Sequence, residues 1–198
     1  MEDTLNDEGF SISTSEAPSD EHLKAIGRFV VTFAKFEENV SIHMSLLLGA
    51  EPELVSTLAY SLDIRNRCIA LRGICAYRLG SADKIRAGEN LKKDMQFKQL
   101  DKLFKSVQAA IEKRNRIVHS TWSKAPETAS AHRLRWTKTK QILGWPEADY
   151  ALVSVKDIET DIEFIDKVDK ELWEYVWHNF GSWIKQRATG NNEDVPDS

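Results

Sequence analysis

Apolar residues recur at threes and fours along most of the chain. Between Asp20 and about Leu48 they fall at Leu23, Ile26, Val30, Phe33, Val40, Met44 and Leu47, the repeat of one buried helical face. Ser19 or Asp20 supplies the cap, Gly49 the stop, and Pro52 opens the next helical stretch, Glu53 to about Leu62. A third helix from roughly Ile64 to Leu79 carries the stripe Ile64, Cys68, Leu71, Cys75, Leu79 and halts at Gly80. After a polar connection at 81–90, a long helix places Phe97, Leu100, Leu103, Phe104, Val107, Ile111 and Val118 on one face and ends near Trp122. Ser154 with Asp157 forms a capping box for the last helix, which runs to about Gln186 with Ile158, Ile162, Ile165, Leu172, Val176 and Phe180 inward.

The period changes at 131–155. In "HRLRWTKT", Leu134 and Trp136 alternate with Arg133 and Arg135, "DYALVSV" is a second β-like run, and "GWPEAD" between them holds turn residues. The spacing predicts an all-α helical bundle with one small β-hairpin near 131–155. Nine glycines and five prolines in 198 residues are too few for a turn-rich β protein, and the length suits a single domain, here 19–187. Residues 1–18, acidic and rich in Ser and Thr, read as a disordered tail, and 188–198 as a polar one.

Charge is uneven. The net charge of −4 gives no global sign of nucleic-acid binding. Locally, Lys113 to Lys140 holds eight Lys/Arg against one acid, Glu127, while Asp157 to Glu174 holds eight acids against two lysines. An acidic start without an apolar stretch is no signal peptide, and no apolar run nears the roughly 18 residues of a membrane span. Cys68 and Cys75 are seven apart on one helical face, about 10 Å along the axis. That is too far for a mutual disulfide. Reduced buried thiols in a cytoplasmic protein are therefore expected.

The stretch "KRNRIVHSTW", Lys113 to Trp122, carries the candidate chemistry. With Leu100 as the centre of the stripe and 100° per residue, Arg114 falls about 40° away, on the apolar face. An arginine there is costly unless paired or directed into a cleft or a partner surface. Asn115 and His119 lie one turn apart at the stripe's edge. An earlier triplet, Arg65-Asn66-Arg67, has no histidine after it and reads as a solvated helix face. Histidine moves protons near neutral pH, and arginine binds phosphate and offsets its developing charge. The pair suits RNA cleavage by internal 2′-hydroxyl attack, whose first step needs neither metal nor external water. The competing reading has Arg114 paired with a helix carboxylate and His119 satisfying carbonyls at a helix end.

Arg114-Asn115-x-x-x-His119 resembles the arginine-x(4–6)-histidine motif of HEPN domains, in which a polar residue, often asparagine, follows the arginine. The layout over roughly 20–187 is similar too: long bundled helices with the motif late in the core. The resemblance implies a dimer whose motif helices face each other across a cleft. It also implies a metal-independent endoribonuclease in a defence, stress or RNA-processing system, with Arg114 and His119 catalytic and Asn115 supporting. Other members are inactive binding or signalling modules. One branch carries a tyrosine two residues after the histidine. Here that position is Thr121, so regulation by modifying that tyrosine is not available.

No other motif competes. His22, His43, His132 and His178 lack metal-ligand spacing, and there is no CxxC, HExxH or phosphate-loop pattern, so neither metal nor cofactor is expected. Glu37, near the seam of the first helix, is a carboxylate for Arg114 to pair with. Trp173, Trp177 and Trp183 read as packing or dimer contacts, and Trp122 and Trp136 as base-stacking candidates beside the basic segment. Two functions stand open: a homodimeric ribonuclease with basic residues 113–140 along the RNA, and a non-enzymatic dimeric module that binds a protein partner or regulates an RNA effector. Neither involves a membrane.

Overall fold

The computed structural model describes residues 17–125, 129–142 and 145–189. Among these it has six α-helices: α1 (Asp20–Leu48), α2 (Pro52–Tyr60), α3 (Ile64–Arg78), α4 (Ser81–Arg86), α5 (Met95–Val118) and α6 (Val155–Ala188). Three strands, β1 (Thr121–Lys124), β2 (Ser130–Ile142) and β3 (Trp145–Ser154), form an antiparallel sheet in the order β1-β2-β3. The mostly helical class and the hairpin are as expected. The sheet has one strand more, because the long helix stops at Val118 and Trp122 lies on β1, opposite Arg133. The hairpin also reaches further towards its tip. Residues Trp145 to Ala148, expected as turn, are strand, and Pro146 is tolerated because β3 is an edge. The connection at 81–90 contains α4, and a single 3-10 turn, Leu91–Lys93, comes after it. Most of the two expected tails lies outside the described residues.

The chain divides into two compact units. One holds Met1–Val30 and Asn115–Thr160, with the sheet; the other holds Val31–Arg114 and Asp161–Ser198. The helical unit has the larger apolar core. Phe33, Phe36, Val40 and Leu47 of α1 are buried there, as are Cys68, Leu71 and Cys75 of α3, Leu100, Val107 and Ile111 of α5, and Leu172 and Val176 of α6. Burial pushes both thiols up to about 12, so Cys68 and Cys75 stay protonated and inert.

The end of α1 shows how this unit closes. Leu48 is followed by Gly49 at φ +60°, whose amide donates to the Ser45 carbonyl at 2.8 Å. The last turn of α1 has no basic residue of its own. Arg78 Nε instead donates to the Leu47 carbonyl and Arg187 Nη2 to that of Gly49, each at 3.0 Å. Both guanidiniums stack on the Trp183 ring, 3.9 and 5.7 Å from its centroid. Two cations from distant helices thus take carbonyls at the negative end of α1. A Cβ on Gly49 would run into the Arg187 guanidinium.

The sheet unit has a smaller and more polar interior. Ala25, Phe29, Ile117, Ala131 and Ile158 are buried together with His22 and Arg133. His22 Nδ1 accepts from the Ser19 hydroxyl at 2.7 Å and Nε2 donates to the Val153 carbonyl at 3.2 Å, so its tautomer is fixed by its partners. The capping box on α6 is formed. The Ser154 amide donates to Asp157 Oδ2 at 2.8 Å, and the Asp157 amide to Ser154 Oγ at 3.2 Å. The Ser154 hydroxyl and amide hold the Asp157 carboxyl below its usual range.

Candidate functional site

The candidate residues sit on the last turns of α5. The helix starts behind Asp94, whose Oδ1 accepts from the Gln96 amide at 2.8 Å while Oδ2 takes the Lys84 ammonium at 2.7 Å. It ends without glycine or proline. The His119 amide donates to the Asn115 carbonyl at 3.3 Å, the Ser120 hydroxyl to the Arg116 carbonyl, and Trp122 Nε1 to the Ile117 carbonyl at 3.0 Å. Three successive end carbonyls therefore receive donors from the four residues just past the helix, which turns the chain into β1.

The two units divide within this motif: Arg114 closes the helical unit, and Asn115 and His119 belong to the sheet unit. Arg114 and Asn115 are half-buried and His119 is exposed, one residue beyond the last helical position. Asn115 and His119 are brought together directly by the amide-to-carbonyl bond between them. The half-buried Arg114 agrees with its seam position, whereas Val118, expected inside, is 39% exposed and Ile117 is buried in its place.

The basic segment around the motif is less available than its sequence suggests. The Lys113 ammonium pairs with Asp161 and lies 5.1 Å from the Phe164 ring centroid. Arg133 is only 7% exposed, and its Nη2 donates to the two Asp149 oxygens at 3.1 and 3.0 Å. The alternation along β2 is real, but the inner side is the one that carries Ala131 and Arg133. Arg133 therefore reaches no ligand from the surface, and its Nη1 is buried without a partner among the described residues. No sequence signal marks this, beyond the small Ala151 paired opposite Arg133 in the sheet. Arg116 and Lys124 remain exposed; the side chain of Trp136 lies outside the described residues.

The first triplet is held locally. Arg65 pairs with Glu112 at 2.8 Å, the Asn66 amide donates to Asp63 Oδ1 at 2.8 Å, and Arg67 Nε donates to the Leu62 carbonyl at 3.0 Å. Arg65 and Asn66 are exposed, as a solvated face requires. Of the other histidines, His43 is fully buried, with neither ring nitrogen partnered among the described residues and its ring 4.3 Å from that of Trp173. Burial lowers its pKa to about 4, so it is neutral at physiological pH. His132 bonds the Tyr150 hydroxyl across the sheet. Glu37 is half-buried and close enough to Cys68 to raise its thiol further. Trp173 packs on His43 and Trp183 under two guanidiniums, while Trp177 is 40% exposed.

Among the described residues no cluster of three His, Cys, Asp or Glu side chains could hold a metal ion, and no helix is long and apolar enough to cross a membrane. Comparison with protein-family models, with curated proteins and with solved structures finds no match.

Proposed function

We propose that the protein is a homodimeric, metal-independent endoribonuclease of the HEPN type. The observation that carries this reading is the Arg114-Asn115-x-x-x-His119 set at the end of α5, with His119 exposed and Arg114 half-buried. In the reaction the 2′-oxygen of RNA bonds to the adjacent phosphorus while the bond to the 5′-oxygen breaks. The 2′-hydroxyl proton leaves and the departing 5′-oxygen gains one. His119 serves these proton transfers, an effect on the order of 10²–10⁴ in rate. Arg114 stabilises the extra negative charge of the pentacoordinate phosphorus, and Asn115 orients the imidazole or a phosphate oxygen. A second subunit explains an arginine at a seam position, because a facing motif helix gives it a cleft to address.

The reading is tested with purified protein and RNA in EDTA. Cleavage is expected to persist and to leave 2′,3′-cyclic phosphate and 5′-hydroxyl ends. Cleavage that requires a divalent metal, or no cleavage at all, overturns it. The second reading, an inactive module that binds a protein, is favoured by α2, where Leu54, Leu58 and Tyr60 are 56%, 62% and 83% exposed. Such a run of apolar surface is typical of association sites.

A further inference from the structure

A groove between α3 and α5 lies wholly within the helical unit. It encloses about 340 Å³. On α3, Arg65, Ile69 and Arg72 face it at spacings of four and three; on α5, Asp101, Lys105 and Gln108 do so at four and three. The helices are cross-linked at both ends, Arg72 to Asp101 at 2.6 Å and Arg65 to Glu112 at 2.8 Å. Gln108 also donates to the same Glu112 oxygen, at 2.9 Å.

Both acids are thus engaged, and Lys105, exposed between them, has no ion-pair partner among the described residues. Three cations against two carboxylates leave one positive charge. The floor is apolar, formed by Ile69, Phe104 and Val107. Ile69, 62% exposed, lines the groove with apolar surface open to solvent.

We propose that this groove holds one nucleotide of a single-stranded RNA, with the phosphodiester against Lys105 and Arg72 and the base over Ile69 and Phe104. The single surplus charge matches a phosphodiester, which carries one negative charge, better than a terminal phosphate, which carries up to two. Each arginine uses Nη2 for its carboxylate and keeps further donors for a phosphate oxygen. The volume is at the small end of ligand sites, room for one base and its sugar. A duplex hides the base faces that an apolar floor needs. An acidic peptide would leave that floor uncovered. The identity of the ligand rests on the ribonuclease reading; the existence of the site does not.

The test measures anisotropy of a short fluorescein-labelled oligoadenylate with full-length His119→Ala protein, so that cleavage cannot interfere. Adding Arg72→Ala and Lys105→Ala is expected to weaken binding roughly tenfold and to flatten the salt dependence by about 1.4, two contacts at about 0.7 each. Asp101→Asn, which removes the competing charge, is expected to tighten it, whereas a merely structural Asp101 would loosen it. Circular dichroism checks the fold, and Lys105→Glu alone, at an exposed and unpaired position, gives the same loss without touching an ion pair.

Unchanged affinity in these variants overturns the proposal. So does equal binding of a duplex of the same length, or displacement by polyglutamate or AMP as effective as by unlabelled oligoadenylate. The two readings fail separately. Cleavage by the wild type with groove variants that bind normally sinks the groove alone; groove-dependent binding without any cleavage sinks the ribonuclease alone.

Discussion

The two Arg-Asn-Arg triplets are the same three residues at opposite ends of their helices. At Arg65-Asn66-Arg67 every member is held within its neighbourhood, by Glu112, by the capping Asp63 and by the Leu62 carbonyl. The triplet stands at the start of α3, where the amides need a carboxylate and Asp63 supplies it. At Arg114-Asn115-Arg116 the triplet stands at the other end of a helix, and within one turn the chain reaches an exposed histidine instead of continuing the helix. The difference lies in position on the helix: at the start the local need is for an anion, and at the end the chain leaves the helix and can present a side chain.

The largest expected effect breaks or makes this contrast. His119→Ala should lower RNA cleavage by about 10²–10⁴ while circular dichroism and light scattering show the fold and the dimer intact, since His119 is exposed. A variant that cuts as fast as the wild type would reduce the second triplet to a helix end like the first. Arg114→Ala should also lose cleavage, with some loss of stability because the side chain is half-buried.

The next effect sharpens the contrast between histidines. His43 titrates at about 4 when folded against 6.5 when exposed, because burial disfavours its charge. Its neutral form contributes stability that is fully present above pH 6.5 and is lost as pH falls towards 4. The loss over that range is ~3 kcal/mol. Urea titrations at pH 7 and pH 4.5 should show this loss, and His43→Leu should largely remove it, since neither ring nitrogen has a partner to forfeit. A variant that loses stability as steeply as the wild type would place the acid sensitivity elsewhere.

Smaller effects belong to the first triplet. Asp63→Ala removes the cap of α3 and should cost about 1 kcal/mol in thermal or urea unfolding, with cleavage unchanged. A double-mutant cycle on Arg65 and Glu112, both about half exposed, should give a coupling of only ~0.2–1 kcal/mol. A coupling several times larger would mean that the first triplet organises the fold rather than decorating it.

Much of this was legible in the sequence. The helices other than α4, their stops at Gly49 and Gly80, the α6 capping box and the Cys stripe come from spacing and from local chemistry that acts within a few residues. The phase of the first turns of α1 did not, although Phe33, Val40, Met44 and Leu47 are buried as expected. Phe29, Val30 and Val31 are consecutive apolar residues, so several faces score alike, and packing chose Phe29 and Phe36 while Leu23 and Val30 are 48% and 44% exposed. Strand β1 is four residues long and is defined by its pairing with β2, which no local pattern encodes. The same holds for Arg133, whose inward side was decided by the sheet's other neighbours. The spacing of Arg114 and Asn115 was readable because a helix fixes it, whereas His119 lies one residue past the helix end. The α3/α5 groove was not, since it needs two helices brought side by side.

The pairing of α1 with α6 has a consequence for synthesis. Within the helical unit Asn39 meets Asp169 and Gly49 meets Arg187, 130 and 138 positions later. A ribosome adding about 5–20 residues per second exposes α1 on the order of ten seconds before its partner exists. During that interval Asn39 has no Asp169 to bond, and the His43 ring has no Trp173 to pack on. Nascent chains should therefore bind a holding chaperone through α1, and let it go only when Trp183 and Arg187 have cleared the exit tunnel.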